Sequence, residues 1–105
     1  MSDTLQSLFE TILSRKGADP SSSYTASLFS KGTAKIAQKV GEEAMETAIE
    51  AVQGEPEKLK AESADLLFHL LVLWADQGIT PDQVFDVLKS RESTSGIAEK
   101  ASRDQ

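Results

Sequence analysis

Apolar side chains recur along this chain at helical spacing and nowhere alternate with period two for long. Leu5, Leu8, Phe9, Ile12 and Leu13 stand at i, i+3, i+4, i+7 and i+8. That is one stripe of a helix, with Asp3 and Gln6 placed as a capping box and Gly17 as a stop. The next stretch, "ADPSSSYTASLFSKG", is rich in serine, holds one proline and closes on glycine. It reads as a loop carrying at most a short helical piece over 25–29. Over 33–53, Ile36, Ala37, Val40, Ala44, Met45, Ala48, Ile49 and Val52 sweep one broad side of a second helix that Gly54 ends. Pro56 suits the first turn of a third helix running to Gly78, and Thr80, Pro81 and Gln83 open a fourth. Past residue 90 only Ile97 and a few alanines could be buried, so about 92–105 reads as a tail or a weak helix. The pattern predicts a single all-α domain over 1–105. It is a four-to-five-helix bundle built on a central antiparallel hairpin of the second and third helices.

Two lines of carboxylates interrupt this pattern. On a wheel of 100° per residue, Glu42, Glu43, Glu46 and Glu50 share with Lys35 and Lys39 one stripe about 100° wide. For one helix alone, a solvated face explains that equally well. The third helix, "ESADLLFHLLVLWAD", is apolar on nearly every side except for a line of Glu62, Asp65, His69 and Asp76. A helix so apolar is a buried one, and carboxylates on buried surface cost several kcal/mol per ion unless paired or bound to metal. Folding the two helices about Gly54 brings the acids level: Glu46 lies eight residues before that glycine and Glu62 eight after, Glu43 eleven before and Asp65 eleven after. Oxygen-only ligands suit Mg²⁺ or Mn²⁺, hard cations that complete their shell with water and substrate phosphates. Met45 and Trp74 read as core and Asp76 as solvated, while His69 could be a ligand or an acid/base but on a packed helix is more often a satisfied core residue or a support to the site.

Composition narrows the partners. Seventeen acidic against eleven basic residues give a net charge of −6, which argues against nucleic acid or an anionic membrane as a partner. With no cysteine there is no disulfide, thiolate zinc site or thiol nucleophile. The N-terminus lacks a basic stretch followed by an apolar run. The longest apolar run, "LLFHLLVLWA", is ten residues and is broken by His69, so a cytoplasmic protein is expected. So small a chain can hardly cover its most apolar helix, and the exposed patch predicts a homodimer or a higher homo-oligomer.

The paired spacings, E-x-x-E at Glu43 and Glu46 and E-x-x-D at Glu62 and Asp65, resemble the signature of the MazG-like all-α nucleotide pyrophosphohydrolases. The segments "SYTASLFSKGTAKIAQKVGEEAMETAIEA", "ESADLLFHLLVLW" and "SGIAEKASR" narrow the likeness to the phosphoribosyl-ATP pyrophosphohydrolase family, over nearly the whole chain from 5 to 103. Where that family's acidic segment continues Tyr-His, this one reads Phe68-His69, with one hydroxyl fewer. The resemblance implies Mg²⁺-dependent hydrolysis of phosphoribosyl-ATP to phosphoribosyl-AMP and pyrophosphate, the second step of histidine biosynthesis. It also points to a homodimer whose substrate touches both subunits. The expected catalytic residues are Glu42, Glu43, Glu46, Glu62 and Asp65. Glu43, Glu46, Glu62 and Asp65 are the metal ligands, and Glu42 is a further ligand or base. Lys31, Lys35 and Lys39 are expected to meet the remaining phosphates, and Ser23, Tyr24 and Thr25 to grip ribose or phosphate. Arg15, Lys16 and Arg91 read as solvated surface. Two rivals stand beside this reading: the same chemistry on a noncanonical nucleoside triphosphate, and a non-enzymatic helical domain whose acids merely bind a cation.

Overall fold

The computed structural model describes residues 2–92, and its elements are α1 (Ser2–Ser14), α2 (Tyr24–Lys31), α3 (Thr33–Val52), α4 (Pro56–Asp76) and α5 (Pro81–Ser90). Among the described residues every regular element is a helix. The organising feature is the α3–α4 hairpin, whose two helices share the largest packing surface in the molecule. Gly54 turns the chain between them at φ 72°, in the left-handed region open to glycine without strain, and Pro56 starts α4 where a missing N–H costs nothing. At the far end of the hairpin the start of α3 meets the end of α4, where Thr33 donates its hydroxyl to Asp76 at 2.6 Å.

The core gathers at that far end. Phe9 and Ile12 of α1, Leu28 of α2, Ile36 of α3, and Leu71, Val72 and Ala75 of α4 form one buried cluster. Each large aliphatic side chain there contributes roughly 1.5–3 kcal/mol. Trp74, expected in the core, packs half-buried against it. Lys16 crosses from the end of α1 to donate to the Ala75 carbonyl at 3.0 Å, with its ammonium 5.7 Å from the centre of the Phe29 ring.

Several expectations need correcting. The segment read as a loop with at most a short helical piece over 25–29 holds a two-turn helix, α2, which extends that piece at both ends. Its serines promote rather than prevent it, since Ser23 accepts from the Ala26 N–H at 3.1 Å as an N-cap. Burial of Ala26 and Leu28 supplies the tertiary support that a helix this short needs. α1 starts at Ser2, so Asp3 lies in its first turn instead of capping it, where its charge still suits the helix dipole. α5 opens where Thr80, Pro81 and Gln83 predict it, and Thr80 and Gln83 form a capping box in both directions, at 2.9 and 3.2 Å. Met45 is not core: it is 63% exposed, and Ile49 and Val52 on the same side of α3 are exposed with it. Asp76 is not merely solvated. Its carboxyl sits below the usual range, first through the Thr33 hydroxyl and then through the Gln77 amide, so it fastens the two ends of the hairpin. Residues 93–105, most of the expected tail or weak helix, lie outside the described residues.

Candidate metal centre

The register of the hairpin carries the acids of α3 onto those of α4. Glu43, Glu62 and Asp65 each place a carboxylate oxygen within 4.8 Å of the other two, close enough to hold one metal ion. Glu43 is buried, Glu62 half-buried and Asp65 exposed, so the group opens to water on one side. Oε2 of Glu43 and Oε2 of Glu62 are buried without a hydrogen-bond partner. An orphaned buried carboxylate oxygen costs free energy, which a proton or a cation would relieve. The residues present therefore fit a hard divalent cation: oxygen donors only, from two rigid helices, with an open side.

Glu46, expected as a fourth ligand, is not among the three oxygens that meet, and it is exposed; it bears on the cluster through Glu62. The Glu62 carboxyl is pushed up to about 7, first by the hydrogen bond it makes to Glu46 when protonated, then by burial and by the charges of Glu46 and Glu43. Two carboxylates so placed compete for one proton, as like charges do when they cannot both ionise cheaply. Divalent metal and proton answer the same need at this place.

The other expected residues are placed differently. Glu42 is exposed and turned along α3, accepting from the Gln38 amide at 2.8 Å and pairing with the Lys39 ammonium at 3.4 Å. Those two bonds, Gln38 first, hold its carboxyl below the usual range. Lys39 is raised above the ordinary lysine value, first by its bond to Glu42 and then by the neighbouring Tyr24 phenol, with Glu43 further behind. Lys35 is half-buried, and its charge helps lower Glu42. Lys31 is exposed in the last turn of α2. Ser23 is committed to capping α2, and Thr25 is half-buried beside it. Tyr24 reaches His69, its hydroxyl 3.0 Å from Nε2, and that contact was not legible in the sequence because 45 residues separate the partners. His69 is buried and bonded through both ring nitrogens, as expected of a satisfied core histidine.

Among the described residues the fold is all-helical, and its central hairpin gathers carboxylates of α3 and α4 into a partly buried cluster that could hold a divalent cation, which defines a class of helical hairpin domains with an acidic centre. The particular family is the phosphoribosyl-ATP pyrophosphohydrolase family, whose model matches residues 5–92, and the chain belongs to it. It is 63% identical to the phosphoribosyl-ATP pyrophosphatase of Azospirillum brasilense over 94% of this chain and 89% of that protein. The proteins of the same name from Gluconobacter oxydans and Rhodospirillum rubrum are 57% and 54% identical. Those two matches cover 94% and 96% of this chain, and 74% and 86% of those proteins. Among the described residues no helix is long and apolar enough to cross a membrane.

Proposed function

We propose that this chain hydrolyses phosphoribosyl-ATP to phosphoribosyl-AMP and pyrophosphate, the second step of histidine biosynthesis, in the cytoplasm. Mg²⁺ would be held by Glu43, Glu46, Glu62 and Asp65, with Mn²⁺ as a substitute. The observation that carries this reading is the meeting of Glu43, Glu62 and Asp65 within 4.8 Å, together with the relatives' shared name. A divalent cation held by these carboxylates would supply charge to offset the triphosphate and acidity to a bound water. The chain's own residues position and balance charge, which is most of what phosphoryl transfer asks of a protein. The rigid hairpin fixes the carboxylates at one distance from each other. Lys39 and Lys35, on the same stripe of α3, offer positive charge to the remaining phosphates. Glu42, whose carboxylate already takes bonds from Gln38 and Lys39, stands beside the site as a further ligand or base. Ser23, Tyr24 and Thr25 border it as the polar edge facing the nucleotide, and Lys31 closes α2 nearby in sequence.

The active form is a homodimer or a higher homo-oligomer. Its support is the apolar side of the hairpin that nothing in the described chain covers. Met45, Ile49, Val52 and Leu67 are 63%, 44%, 88% and 45% exposed. A groove of about 320 Å³ runs between Met45, Ala48, Ile49, Val52 and Gln53. A second copy would bury this side by two-fold symmetry and bring the acids near its own.

The test is pyrophosphate release from phosphoribosyl-ATP, with and without Mg²⁺, beside a panel of ordinary and noncanonical nucleoside triphosphates. Mg²⁺-dependent turnover preferring phosphoribosyl-ATP is expected. Preference for another nucleotide would keep the metal site and discard the pathway. Tight cation binding without turnover on any of them would leave only a cation-binding helical domain.

A further inference from the structure

His69 is the only histidine of the chain and one of two buried polar or charged side chains among the described residues, the other being Glu43. It follows Asp65 by one helical turn, and its Nδ1 lies 2.8 Å from the Asp65 backbone carbonyl. A carbonyl can only accept, so Nδ1 carries the proton, and in the neutral ring Nε2 is left as an acceptor. The Tyr24 hydroxyl, 3.0 Å from Nε2, is then the donor. The two bonds run in one direction: phenol to imidazole, imidazole to the carbonyl of the acidic turn. Three rings reinforce them. Tyr24 lies nearly parallel to Phe68 at 6.3 Å, and both rings meet His69 edge-on, at 5.9 and 5.1 Å.

Tyr24 is the first residue of α2, directly after the capping Ser23. The residue is 53% exposed while its hydroxyl is tied down, so the side chain bridges from solvent to the interior. We infer that His69 is a positioning residue: through Tyr24 it fixes the Ser23–Tyr24–Thr25 edge of α2 at a set distance from the Asp65 turn of α4. The edge that faces the nucleotide and the carboxylates that face the metal then move as one body. This rests on the function proposed above. The Phe68 ring supplies the apolar wall against which the phenol is aligned, which needs no hydroxyl of its own.

The first measurement needs no turnover. In a long-range proton–nitrogen NMR spectrum the single histidine gives one unambiguous pair of ring nitrogens. The neutral imidazole is expected to be protonated at Nδ1, with its Nε2 resonance moved by Tyr24→Phe. A neutral ring protonated at Nε2, or no response to Tyr24→Phe, overturns the proposal. The second measurement is a set of steady-state constants with magnesium affinity from calorimetry. Tyr24→Phe keeps the ring packing and loses only the O–H. It should raise KM for phosphoribosyl-ATP on the order of fivefold, the scale of one lost hydrogen bond, with kcat little changed and Mg²⁺ affinity unmoved. His69→Leu should raise KM at least as far, and the double variant no further than His69→Leu alone. His69→Gln, whose amide oxygen can stand near the place of Nε2, should recover part of the loss. A role confined to stability would lower the melting temperature of these variants and leave KM alone, and additive effects would also overturn the coupling. Should the unsubstituted protein fail to release pyrophosphate, the functional reading falls and this proposal with it, while the histidine spectrum still shows whether the contact itself exists.

Discussion

The α3–α4 hairpin has two ends built from the same kind of helix and treated differently by the rest of the chain. Where α3 begins and α4 finishes, Ile36, Leu71, Val72 and Ala75 are buried under α1 and α2. Toward Gly54, Met45, Ile49 and Val52 stand in solvent, and Val52 keeps 88% of its surface exposed. The described chain extends 47 Å in its longest direction, and its radius of gyration of 15.7 Å exceeds the roughly 13 Å expected for a compact domain of this length. Two short helices and a ten-residue α5 do not suffice to cover a hairpin of this size. The covered end supplies stability. Beyond it the hairpin is free to serve a site and to meet a second copy, with the carboxylates lodged where cover gives out.

That division is broken most severely from the side of the acids. Glu43→Gln and Asp65→Asn should each lower kcat/KM for phosphoribosyl-ATP by about a hundredfold or more, since each removes a charged oxygen from the proposed metal site. Folding should be untouched or improved, because like charges are relieved. Steady-state pyrophosphate release and a melting curve on the same samples check both halves. Wild-type turnover in both variants would remove these acids from the site.

Next in size is a contrast between the two ends. Leu71→Ala in the covered end should cost about 2–5 kcal/mol of unfolding free energy, through lost burial and a cavity. Met45→Ala should cost less than about 1 kcal/mol in dilute protein, where its side chain has little to leave. Urea midpoints measure the two, and equal losses would erase the distinction. Smaller again in stability, though not in assembly, is Ile49→Lys. A lysine in the exposed groove should leave the helix content unchanged and shift the sedimentation coefficient to that of a monomer. Sedimentation as a monomer without the substitution would remove the oligomer.

Much of this was legible in the chain. Helical spacing and the glycines at 54 and 78 place the long helices, and counting outward from Gly54 places Glu43 level with Asp65 and Glu46 level with Glu62. That registration is dictated by helix rise and needs no tertiary information. Four things were not fully legible. α2 was legible only as a short piece over 25–29, because serine favours caps and loops alike, and the burial of Leu28 and Ala26 decides its extent. Met45 read as core because periodicity reports which face is apolar and is silent on what will cover it. The bond from Tyr24 to His69 joins separate helices, and a local pattern carries no trace of such a pairing. The side chain of Glu42 escaped for the opposite reason: its position on the stripe was right, but the local bonds of Gln38 and Lys39 turn it along its own helix.

The smallest expected effect sharpens the comparison most, because it ties the uncovered acids back to the stability of the covered end. Glu62 has its folded-state carboxyl raised from the ordinary 4.5 to about 7, so between those values the folded protein binds a proton that the unfolded chain releases. Stability from this group is present in full below the unfolded value and is lost as pH rises through the folded one. In chelator, the melting temperature should therefore fall between about pH 5 and about pH 8. A divalent cation binds the ionised carboxylates, so its grip strengthens over the same interval and should flatten or reverse the fall. Glu62→Gln removes the titrating group and should flatten the curve in chelator as well, while responding less to added Mg²⁺. A fall of equal depth in Glu62→Gln would assign the pH dependence to other groups. No dependence in the unsubstituted protein would mean that the facing carboxylates tolerate their charges in water, and that no proton or cation is called for between them.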